Sequence, residues 1–99
     1  MQEAGESMSD SMTLPAVADL TEAGPLKQRF EQALMSGTGL TVDASAVQRI
    51  SSPCLQVLVA GVTSFANAGG AALTISNPSN AVRETASVLG LMNALGLSK

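Results

Sequence analysis

The chain has 99 residues, a formal net charge of −3, two Phe, one Cys and no Trp, Tyr or His. That is one domain with an aliphatic core, without aromatic platforms for single-stranded nucleic acid or the charge to hold a phosphate backbone. One Cys and no His exclude an internal disulfide, a multi-cysteine metal site and the commonest general base, so no cofactor or metal is expected.

Residues 1–11 are acidic and polar, rich in Ser, Glu and Gly, and read as a disordered arm ahead of a domain spanning 12–99. Nothing in the arm resembles a signal peptide, and Met8 and Met12 are alternative start positions. No apolar run approaches the ~18 residues of a membrane span. A cytoplasmic protein without membrane insertion is expected.

The segment "SMTLPAVADL" reads as a strand that Pro15 confines to a sheet edge, since proline cannot donate to a ladder. "TEAGPLKQRFEQALMSG" then places Leu26, Phe30, Ala33 and Leu34 at helical spacing, with Lys27, Arg29 and Glu31 outward. Pro25 fits the first turn, which predicts a helix start between Thr21 and Pro25, and Gly37 and Gly39 close it. "LTVDAS" is a short strand buried on Leu40 and Val42. Ser52 as N-cap and Pro53 as first residue predict a second helix running to about Ala68. "NAGGAALTISNP" supplies a turn and a third strand. "SNAVRETASVLG" is a third helix with Val82, Ala86 and Leu89 on one face, and "LMNALG" a short helical tail. Alternating strands and helices imply an α/β domain with parallel neighbours: a small mixed sheet of about four strands with helices packed on it. "GTG" and "AGG" lack phosphate-loop spacing and merely end helices.

The junction "ISSPCLQ" supports three readings. It is a helix start, with Cys54 a small core residue. It is a reactive thiol, activated by the helix N-terminus but lacking a base or a resolving Cys. Or it presents a serine as phosphoacceptor, where a phosphoryl group adds about −1.5 to −2 charges to a near-neutral surface.

The stretch "LTVDASAVQRISSPCLQVLVAG" resembles the central segment of STAS domains, the sulfate-transporter and anti-sigma-factor-antagonist group. That segment is a hydrophobic strand, D-x-S-x-V, a loop reading D-S-S-G-L or a variant, and a helix opening L-x-x-L. Asp43, Ser45 and Val47 match the first part, Leu55 and Leu58 the last. "VADLTEAGPLKQRF" is similar to the family's earlier segment, retaining Asp19 before a helix. The likeness spans about residues 12–95, and its wording is closest to small STAS proteins encoded beside bacterial chemotaxis kinases. It implies a STAS-like fold and a non-enzymatic regulatory role, with a GHKL-type kinase as partner, either an anti-sigma factor or a chemotaxis histidine kinase. The alternative it implies is a structural STAS subunit of a lipid-transport ABC system, without phosphorylation. It places Ser52 on the family's phosphoacceptor position, with Ser51 the second choice, and Asp19 and Asp43 near the loop. The family's acid before that serine is Ser51 here, and its glycine is Cys54.

The second helix carries no charge from Cys54 to Ala68, whereas a surface helix ordinarily shows a charged stripe. Leu55, Leu58, Val59, Val62 and Ala66 make its core face, leaving Gln56, Ala60, Thr63 and Asn67 opposite. Either a neighbouring loop covers that side or a partner does, since interface cores are depleted in charge. The expected partner-binding set is Asp19, Asp43, Ser51, Gln56, Ala60 and Thr63. Arg49 and Arg83 are candidate rim charges.

Overall fold

The computed structural model of the chain describes residues 9–69 and 71–97. Five strands and three helices follow one another as β1 (Ser9–Thr13), β2 (Val17–Ala18), α1 (Leu20–Ser36), β3 (Gly39–Asp43), β4 (Arg49–Ile50), α2 (Ser52–Ala68), β5 (Leu73–Ser76) and α3 (Asn80–Val88). The main sheet has the order β1-β3-β5, and β2 and β4 form a separate pair. The α/β class stands as expected, with helices packed on a small sheet. The expected sheet of about four mixed strands is instead two sheets, and every pairing among the described residues is parallel. A helix returns the chain between successive strands of the main sheet, so each runs in the same sense as the last.

Pro15 splits the expected first strand in two. β1 ends before it, β2 begins after it, and the Ala16 carbonyl between them accepts the N–H groups of Gln48 and Arg49. β1 lies at a sheet edge. It also takes Ser9–Ser11 out of the expected arm, whose remaining residues, 1–8, lie outside the described residues. Polar composition does not prevent this strand, because its pairing with Gly39–Thr41 is made by backbone, and Asp10 adds an ion pair to Arg29 of α1.

β3 is the centre of the core. Leu40 and Val42 alternate onto one face, in register with Leu73 and Ile75 of β5 and with Met12 of β1. They join Leu26, Phe30 and Ala33 of α1 and Leu55, Leu58 and Phe65 of α2 in a single cluster. The opposite rows, Ser11–Thr41–Thr74 and Thr13–Asp43–Ser76, are polar.

The structure moves four helix details. α1 opens at Leu20, upstream of the expected start, so Pro25 sits in its second turn. Asp19 sets that start by accepting the Thr21 N–H at 3.1 Å, and the buried face of Leu26, Phe30 and Ala33 holds the helix through the proline. Gly37, at φ 70°, closes α1 in the left-handed conformation. On α2 the buried line runs through Cys54, Leu55, Leu58, Gly61 and Phe65; Val59 and Val62 are half-buried and Ala66 is exposed. Leu89 caps α3 and is 40% exposed, so the buried face of that helix is formed by Val82 and Ala86. The expected helical tail is a run of turns over residues 92–96, which buries Leu95 and Leu97.

Candidate functional site

Parallel strands bring their carboxyl ends to one edge, and in α/β proteins ligands and partners meet the chain at that edge. All three helices start there. Asp19 caps α1, Ser51 caps α2, and Ser79 caps α3 by accepting the Val82 N–H. The starts of α1 and α2 are fastened side by side. β2 and β4 pair Val17 with Arg49 and Ala18 with Ile50, and the Ser51 N–H extends the ladder to the Ala18 carbonyl at 2.9 Å.

This ladder corrects the helix register. Ser52 was expected as the N-cap, yet Ser51 takes that place because its backbone is held extended by the bond to Ala18. The Ser51 Oγ accepts the Cys54 N–H at 3.3 Å. Ser52 becomes the first helical residue, exposed, and its hydroxyl takes no part in the cap. Ser51→Ala is therefore expected to cost about 1 kcal/mol and Ser52→Ala only a few tenths. Urea titration of the two variants checks this, and the reverse order would return the cap to Ser52.

Cys54 is fully buried and bridges the two starts, its thiol donating to the Asp19 carbonyl at 2.9 Å. Burial pushes this thiol above its ordinary pKa, against the pull of the Ser51 hydroxyl, and the nearby Glu22 and Asp19 charges push the same way. That environment opposes the reactive-thiol reading. A thiol reagent is expected to label native Cys54 no faster than the domain opens, and Cys54→Ala to cost about 1 kcal/mol through the lost packing of a buried sulfur and its bond, while the Asp19 carbonyl keeps the Glu22 N–H. Labelling as fast as that of a free thiol would contradict this.

Asp19 uses its carboxylate locally. The Thr21 hydroxyl, then the backbone N–H groups and the Arg49 charge, hold it below the usual carboxylate range despite some desolvation. Asp43 ends β3, and its carboxylate accepts the Ser45 N–H at 2.9 Å. Ser45 chiefly lowers its pKa. Among the described residues no hydrogen bond joins Asp43 to Asp19, Ser51 or Ser52. It ends β3 of the main sheet, whereas Asp19 and the two serines follow the separate β2–β4 pair, so Asp43 is not part of the junction.

Ser52, Gln56, Ala60 and Thr63 recur at i+4, i+4 and i+3, which keeps them on one side of α2, and all four are exposed. The stripe continues to Asn67 without a charge. Arg49 and Arg83 are also exposed. Two apolar residues at the junction were not anticipated: Leu20, the first residue of α1, is 67% exposed, and Val17 of β2 is 41% exposed. Leu20 lies off the buried face of α1, so its phase relative to Leu26 and Phe30 was the available signal. No group of three or more potential metal ligands occurs among the described residues.

A family model described as "Mlab, STAS domain" matches residues 1–97. No curated protein matches the chain. The family match covers nearly the whole sequence and agrees with the alternating strands and helices that set Ser51–Ser52 at the head of α2; the chain belongs to the STAS domain family.

Proposed function

We propose that this STAS domain is a non-enzymatic phospho-switch partner of a bacterial GHKL-type kinase, an anti-sigma factor or a chemotaxis histidine kinase, acting in the cytoplasm. A STAS domain is a regulatory binding module, and no helix among the described residues is long and apolar enough to cross a membrane. The observation that carries the finer reading is the exposed Ser52 hydroxyl, left out of the cap and standing at the head of an uncharged stripe. Ser51, Ser52, Gln56, Ala60 and Thr63 form the docking surface, with Asp19 beside it and Asp43 adding charge from the end of β3. The partner kinase transfers the γ-phosphoryl group of ATP to the Ser52 Oγ: the new O–P bond replaces the bond to the β-phosphate, ADP leaves, and the hydroxyl proton passes to a base of the kinase or to water. The doubly charged group then sits where the partner would have to desolvate it, and the complex dissociates.

A second reading keeps the surface without modification, as a structural subunit of a lipid-transport ABC system. The capping serine at position 51 favours it, since the family's phospho-switch members carry an acid there and this first turn has none.

Capture of partners from native lysate on the immobilised chain, with and without ATP, separates the two. A GHKL-type kinase released by ATP, with phosphate mapped to Ser52 by mass spectrometry and lost in Ser52→Ala, supports the phospho-switch. A transport ATPase retained in ATP, with Ser52 unmodified, overturns it.

A further inference from the structure

We draw no further inference here: the strongest candidate, the apolar groove between α1 and α2 lined by Phe30, Leu34, Val57, Ala60, Gly61 and Phe65, carries nothing because nothing in the structure shows what covers it.

Discussion

Gly61→Leu is expected to lower the melting temperature by more than 10 °C, and Gly61→Ala by several degrees. Alanine ordinarily strengthens a helix interior by about 0.5–1 kcal/mol over glycine, so propensity alone predicts the opposite sign. Packing decides it. A Cβ at Gly61 would lie 2.6 Å from Cδ2 and 2.8 Å from Cε2 of Phe30, and 3.1 Å from Cδ1 of Leu73. The Phe30 ring is 5% exposed and rigid, so it must tilt as a whole toward the groove on its outer side. One added methyl group in such a place costs about 1–3 kcal/mol, which outweighs the propensity gain; an isobutyl group costs more. In a domain of this size each kcal/mol moves the midpoint by roughly 4–8 °C. Thermal unfolding followed by circular dichroism measures both variants, and the double variant Phe30→Ala/Gly61→Leu tests the contact itself. Trading ring volume for leucine volume should make the double variant more stable than the sum of its parts. A rise in melting temperature for Gly61→Ala, or strict additivity in the double variant, would show that α1 and α2 do not meet through this glycine.

The same glycine marks where sequence reading stopped. Its neighbours Leu55 and Leu58 announce the buried side of α2 by their spacing, as Leu26, Phe30 and Ala33 do for α1 and Leu40 and Val42 for β3. Such signals are local and periodic, and the helices and the central strand follow from them. Gly61 has no side chain to count, and its role exists only because Phe30 stands opposite. The junction is legible in the same partial way. Two consecutive serines before a proline both satisfy cap chemistry, and the preference of proline for the first helical position points locally to Ser52. The choice is made across space, by the Ala18 carbonyl that holds Ser51 extended. β2 and β4, each two residues long, have no period to detect, and the bond from the Cys54 thiol to the Asp19 carbonyl crosses 35 positions of chain. Pro25 misled for a related reason: its cost to α1 is local, while the burial that outweighs it is tertiary.

Ser52→Asp and Gln56→Arg are each expected to weaken binding of the captured partner by at least tenfold, about 1.4 kcal/mol, without loss of stability. Ser52→Asp is a clean probe because Ser51, not Ser52, makes the cap. An acid in the first turn is favoured by the helix dipole, so the fold gains slightly or is unchanged. What it adds is a fixed charge at the head of a stripe that is otherwise uncharged from Ser52 to Asn67. A partner that buries this stripe has to strip water from that charge, and charged residues are depleted from interface cores for this reason. Gln56→Arg puts a larger charged group one turn further along, and Thr63→Arg should act in the same direction near the far end. Ser52→Ala removes only an exposed hydroxyl and should bind like the parent. Met35→Arg supplies the control: Met35 is 88% exposed in the last turn of α1, at the opposite end from Asp19 and the junction. Calorimetric titration of the partner against each variant, with melting curves alongside, separates docking from folding. If Ser52→Asp and Gln56→Arg both bind within twofold of the parent, Ser51–Ser52 is a helix start and nothing more. If Met35→Arg weakens binding equally, the loss is not specific to the stripe, and the surface on α2 is not where the partner sits.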